Sequence, residues 1–173
     1  MAECYLSLGS NLGERLGYLR LALKSMSKSS GIEILRTSSV YEAEPVDFLD
    51  QPKFLNAAVM IRSKIGPLLL LRVLKAIETE VGRIPRARWH EREIDIDIVF
   101  YGDLRVDSEN LTIPHPRAHQ RKFVLMPMAE IEPGYVHPVL NKTVSELLDE
   151  CPDNSHVVRI EELKLPADYA NGI

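Results

Sequence analysis

Residues 92–102, REIDIDIVFYG, restrict what this chain can fold into more than any other stretch. From Ile94 to Tyr101, β-branched and aromatic residues dominate, the composition of a strand with a buried face. Two aspartates interrupt it. Side chains alternate along extended backbone, so Asp95 and Asp97 share one face while Ile94, Ile96 and Ile98 share the other. The two aspartate Cα atoms then lie about 6.6 Å apart, two rises of about 3.3 Å. An ionised carboxylate is costly in an apolar core unless it is paired. The aspartate face must therefore look onto solvent, a cation or a substrate.

The remaining periodicities place this strand in a larger order. Residues 3–8, ECYLSL, alternate as a first strand. GSN (9–11) turns the chain, and Asn11 followed by Glu14 reads as a helix cap with its reciprocal partner. Leu12, Leu16, Leu19, Leu23 and Met26 keep helical spacing up to the SKSSG break at 27–31. IEILRTSSVY (32–41) and FLNAAVMI (54–61) read as two more strands, joined by the loop EAEPVDFLDQP. Gly66 and Pro67 open a second helix, since proline suits a first turn whose N–H has no partner. Leu70, Val73, Leu74, Ile77 and Val81 form its apolar stripe, and Gly82 ends it. After the aspartate strand, LTIPHP is a short extended piece, KFVLMPMAEI a helix containing Pro127, and 143–150 a last short helix. The order β-α-β-β-α-β predicts an α+β, ferredoxin-like fold: an antiparallel sheet with helices on one face, plus C-terminal additions. The other face stays open for a site.

Bulk properties narrow the function. The 173 residues suit a single domain, 1–173, in which residues 152–173 form a tail of unassigned role. A net charge of −4 argues against nucleic-acid binding through a generally basic surface. The richest apolar run, PLLLLRVL, breaks at Arg72, far short of the roughly 18 residues of a membrane span. The start, MAECYLSLGS, lacks a basic region followed by an apolar one, and Cys4 and Cys151 have no metal-type spacing. These features predict a cytoplasmic protein with reduced thiols and no membrane partner.

A D-x-D pair alone is commonly just a solvated strand face. Here GRIPRARWHER leads straight into it, placing Arg83, Arg86, Arg88 and Arg92 close together with Trp89 among them. An arginine-rich loop is, by itself, usually just surface, but next to two carboxylates it fits polyphosphate chemistry. Guanidinium forks bind phosphate oxygens bidentately, and carboxylates hold Mg²⁺ that bridges the same oxygens. No G-x-x-x-x-G-K-[ST] sequence occurs, so any nucleotide is held by side chains and metal.

Four segments in order, LSLGSNLGER, SSVYEAEPV with DQPKFLNAAV, GRIPRARWHEREIDIDIVFYG and LTIPHPRAHQRKFVLMPMAEIEP, give a resemblance to the 6-hydroxymethyl-7,8-dihydropterin pyrophosphokinase family over residues 6–133. The resemblance implies transfer of pyrophosphate from ATP to the pterin hydroxymethyl group, with release of AMP, as a step in folate biosynthesis. It implies two Mg²⁺ ions on Asp95 and Asp97, with Arg83 and Arg92 steadying the phosphates and Asp97 a candidate to relay the hydroxyl proton. The family's ATP positions fall on Lys75, Glu78, Arg86 and Trp89, and further along on Ile98, Thr112, His115 and Arg121. Its pterin positions fall on Ala43, Pro45, Val46, Phe54, Asn56 and Phe123. It further implies small-molecule substrates and a monomer. Ala43, Asp47 and Glu91 depart from the family's usual threonine, glycine and proline, which bears on loop behaviour more than on reaction class. Two other readings stay open: a different two-metal nucleotidyl or phosphoryl transferase, and a binding module or inactive relative that keeps ATP.

Overall fold

The computed structural model describes residues 1–45, 49–87 and 90–165. Strand β1 (Ala2–Ser10) leads into α1 (Arg15–Lys28), followed by β2 (Ile32–Thr37), β3 (Ser39–Ala43) and β4 (Phe54–Ser63). Helix α2 (Pro67–Val81) then delivers the chain to β5 (Asp95–Tyr101). A small ribbon of β6 (Val106–Asp107) and β7 (Thr112–Ile113), helices α3 (Lys122–Ile131) and α4 (Val144–Asp149), and strand β8 (Val157–Glu162) complete it. The main sheet runs β5-β1-β4-β3-β8, with β2 also pairing β4, and every pairing is antiparallel. Taking β2 and β3 as one broken strand, the first five strands and two helices give the expected ferredoxin-like order.

Alternation along the strands sorts residues onto two faces. Leu6 and Leu8 of β1, Ala57, Val59 and Ile61 of β4, and Ile96 and Ile98 of β5 pack under α1 and α2 with Leu19, Leu23, Leu70 and Leu74. Burying each of the larger of these side chains stabilises the fold by roughly 1.5–3 kcal/mol. The second face is divided. Tyr5, Ala58, Met60 and Val99 are covered by Val124, Leu125 and Met128 of α3 and by Val144 and Leu147 of α4. Ser7, Gly9, Asn56, Asp95 and Asp97, at the other end of the same strands, line an open cleft. Helices α1 and α2 keep to one face, as expected, and the second face is where the C-terminal additions pack. The C-terminal helices cover half of the second face, because the strands carry apolar residues there as well.

Other departures have local causes. The expected strand 32–41 breaks at Ser38, whose hydroxyl accepts from Ala58 N at 2.8 Å in place of a regular rung. Helix α1 begins at Arg15 with no side-chain cap, so Asn11 does not cap it. The aspartate strand begins at Asp95 instead of Arg92, because the backbone of Arg92 bonds to Asn11. The gain at the C-terminus is β8, which pairs with β3 from Ser39 to Ala43. Arg159 Nε donates to Ser39 Oγ at 2.8 Å. Ser39 in turn donates through its hydroxyl and its N–H to Glu130 of α3, at 2.9 and 3.0 Å. Val157 packs on Ala43 and Tyr41 beside Phe123. Part of the tail is therefore built into the wall next to the cleft.

Candidate active site

Three adjacent strands make the cleft floor. Gly9 lies opposite Asn56 on one side and Asp95 on the other, and Ser7 lies opposite Asp97. A β-carbon at Gly9 would come within 3.1 Å of Asn56 Oδ1 and 3.7 Å of Phe54 Cδ1, so the bare backbone there is what leaves room for the pocket. Ala43 and Phe54 line one part of the wall, and Phe123 with Arg121 another. The Arg121 guanidinium carbon stands 5.7 Å from the Phe123 ring centroid. Asn56 is 2% exposed, and its Nδ2 has no hydrogen-bond partner among the described residues. A buried amide without a partner is costly. In a cleft that Phe54 and Phe123 also line, such a donor suits a flat, polar-edged ligand.

Beside this pocket the charges form a chain. Arg92 Nη1 donates to Asp95 Oδ2 at 2.6 Å and Arg83 Nη1 to Asp95 Oδ1 at 2.8 Å. Behind them lies Glu78, 2% exposed, which accepts from Arg83, from Lys75 Nζ at 2.7 Å and from Ile96 N at 2.7 Å. Lys75 Nζ also sits 3.9 Å from both Asp95 and Asp97. Burial opposes the charge on Asp95, yet Arg92, Lys75 and Arg83 outweigh it and hold that carboxyl below its ordinary range. Asp97 goes the other way. Burial and the neighbouring Asp95 charge push it up to about 6, although its side chain still reaches solvent through the cleft mouth. Lys75 is beyond hydrogen-bond reach of Asp97, which leaves that carboxylate with capacity for a cation.

His115 approaches from the segment after β7, where its N–H donates to Val99 O at 2.9 Å. Burial, then the charges of Arg121 and Arg117, lower it to about 4. Its Nδ1 accepts from Arg117 N at 3.2 Å, so near neutral pH the ring carries its proton on Nε2 and offers a donor.

Of the residues expected here, Ala43, Phe54, Asn56, Arg92, Asp95, Asp97, Arg121 and Phe123 line the same cleft. Lys75, Arg83 and His115 adjoin it through Asp95. Glu78 is buried behind the arginines, so it acts through them. Ile98 is packed under the helices on the opposite sheet face, where only its backbone is near the site. Thr112 lies exposed on β7 and Pro45 is buried just past β3. Val46, Asp47, Arg88 and Trp89 lie outside the described residues.

Arg86 is held by a residue the sequence did not single out. Glu93, 5% exposed, takes both of its terminal nitrogens at 2.8 Å and accepts from Ile84 N at 3.2 Å. The hydrogen bonds from Arg86, assisted by the Ile84 N–H, overcome burial and keep the Glu93 carboxyl at about 2. A carboxyl depressed on folding stabilises above its unfolded value of 4.5, and that contribution is lost as pH falls toward 2. Glu93→Gln is therefore expected to cost about 2 kcal/mol near neutral pH. The gap to wild type should close on acidification through that window, as read by urea denaturation at stepped pH.

Gly9, Asn11 and Gln51 were also missed as site residues. Glycine and asparagine in GSN look like ordinary turn chemistry, and only the fold brings them against Asn56 and Arg92.

Residues 5–133 match the family model described as 7,8-dihydro-6-hydroxymethylpterin-pyrophosphokinase (HPPK). A 2-amino-4-hydroxy-6-hydroxymethyldihydropteridine pyrophosphokinase of Haemophilus influenzae is 39% identical over 157 residues, covering 91% of this chain and 98% of that protein. The folic acid synthesis protein fol1 of Schizosaccharomyces pombe is 43% identical over 86% of this chain, but the match takes up only 20% of its own length. The chain thus spans about a fifth of such fungal relatives. Among solved structures, an HPPK-DHPS in complex with substrates superposes with a TM-score of 0.71 over 86% of this chain and 43% of its own, at 15% identity. A Plasmodium falciparum HPPK-DHPS gives 0.69 at 20% identity, over 86% and 43%. These likenesses speak for the fold.

Proposed function

The chain belongs to the 7,8-dihydro-6-hydroxymethylpterin-pyrophosphokinase family, and we propose that its cleft transfers the pyrophosphoryl group of ATP to the hydroxymethyl oxygen of 6-hydroxymethyl-7,8-dihydropterin. The products are AMP and the pterin diphosphate, an intermediate in folate synthesis. One observation carries this reading: buried Asn56, whose Nδ2 has no hydrogen-bond partner among the described residues, lines the same cleft as Phe54, Phe123 and the carboxylate pair. A flat heterocycle with an amide-like edge and a polyphosphate are bound side by side, as the reaction requires.

The roles follow from position. Phe54 and Phe123 take the two faces of the pterin and Asn56 its polar edge, with Ala43 and the backbone near Pro45 closing the side. The pterin hydroxymethyl group then points along the floor toward Asp95 and Asp97. Its oxygen attacks the β-phosphorus in line, and AMP leaves. Arg83 and Arg92, which sit on Asp95 in the structure, shift onto phosphate oxygens when the nucleotide enters, keeping their charge throughout. Glu78 keeps Arg83 and Lys75 aligned during that exchange. His115 Nε2 and Arg121 add donors to the nucleotide, and Asp97 accepts or relays the hydroxyl proton. The carboxylate pair fits hard divalent cations, and two Mg²⁺ ions held by Asp95 and Asp97 would supply Lewis-acid neutralisation of phosphate charge. Positioning and electrostatics do the rest.

No helix among the described residues is long and apolar enough to cross a membrane. The test is an assay with ATP, Mg²⁺ and the pterin alcohol, separating products by chromatography. AMP and pterin diphosphate in equal amounts are expected. ATP binding without product in folded protein would mean that the chain is a binding module.

A further inference from the structure

We infer that Asn11 is a positioning residue that locks the two substrate-binding segments of the cleft onto the strand floor, an inference that rests on the functional reading above. Asn11 follows β1 directly and is 1% exposed. It looks like a helix cap in the sequence, yet α1 starts four residues later without using it. Its polar groups are directed elsewhere. The side-chain oxygen accepts from Arg92 N at 2.8 Å, and the backbone N–H donates to Arg92 O at 3.1 Å. The main chain of Arg92 is thereby gripped on both sides, as if by a single rung of sheet. The side-chain nitrogen donates to Gln51 Oε1 at 3.0 Å and to Pro52 O at 3.2 Å.

Each end of this staple leads to a different substrate. The Arg92 guanidinium lies on Asp95, where phosphate is to be held. Two residues beyond Pro52 the chain enters β4 at Phe54, the aromatic wall of the pterin pocket. Lys53 between them is fixed by Arg15, whose Nη1 donates to its carbonyl at 2.7 Å. Asn11 is not among the residues lining the cleft, but it sets the height of Phe54 and the reach of Arg92 together. Only a primary amide fills the position. It supplies an acceptor to one segment and two donors to the other, whereas aspartate only accepts and alanine does neither. Buried polar groups left without those partners would pull both segments toward water.

The two halves of the staple are separable by mutation. Asn11→Asp keeps the acceptor for Arg92 N and loses the donors to residues 51 and 52. It is expected to raise the KM for the pterin by about tenfold, roughly the worth of a lost hydrogen bond, with kcat little changed. Asn11→Ala also removes the acceptor for Arg92 N, leaving Arg92 held only by the backbone bond, and is expected to lower kcat by about 100-fold, the scale set by displacing a catalytic group by an ångström. A generally weakened fold would not divide KM from kcat in this way. The experiment measures both constants for wild type and both variants, with thermal midpoints alongside. An unchanged pterin KM in Asn11→Asp overturns the assignment, as does an Asn11→Ala enzyme with the kcat of Asn11→Asp. If Asn11→Ala does not fold, the KM of Asn11→Asp decides alone. A wild-type protein that makes no AMP and pterin diphosphate fails the functional reading itself, before any variant is compared.

Discussion

Asp97→Ala is expected to lower kcat by about 1,000-fold or more, since several kcal/mol of charge stabilisation at the reacting phosphates depends on this carboxylate. The same change is expected to leave the fold intact. Lys75 Nζ stands 3.9 Å from Asp97, beyond hydrogen-bond distance, and burial and Asp95 both work against its charge. Removing it takes away a repulsion. Loss of activity without loss of stability is the signature of a residue kept for chemistry. Steady-state rates and a thermal melt on one preparation read both. Activity within about tenfold of wild type would mean that the carboxylate pair is only a wet strand face.

Glu78→Ala is expected to behave in the opposite sense. Glu78 is buried and receives Lys75, Arg83 and the Ile96 N–H. Deleting it leaves those groups facing an apolar hole where they had a carboxylate, at a cost of about 3 kcal/mol or more. Activity should also fall, because Arg83 and Lys75 lose the group that aims them. Urea denaturation gives the first effect and kcat the second. A stability within about 1 kcal/mol of wild type would show that Asp95 alone holds the arginine, and that Glu78 has no structural part.

Much of this was legible in the sequence. The alternation of IDIDIVFY placed Asp95 and Asp97 on one face and Ile96 and Ile98 on the other, as the burial pattern has it. Helix α2 runs from Pro67 to a left-handed Gly82, where its proline and glycine put its ends. What remained hidden depends on contacts distant in sequence. Asn11 and Glu14 satisfy the cap pattern, but the partners of Asn11 lie 40, 41 and 81 residues away. Glu93 and Arg86 read as two more surface charges until the loop folds them into a bidentate pair. The split of the second sheet face was beyond local reading for the same reason. Strand periodicity reports that a face is apolar, and not which later helix covers it.

The most direct test of the account follows the label from ATP carrying ³²P in its β-phosphate, mixed with Mg²⁺, the pterin alcohol and the protein. Attack at the β-phosphorus predicts label in the pterin diphosphate and none in AMP. Label recovered as free pyrophosphate would contradict the account in favour of nucleotidyl transfer, and label retained in ADP would reduce the reaction to ordinary phosphoryl transfer.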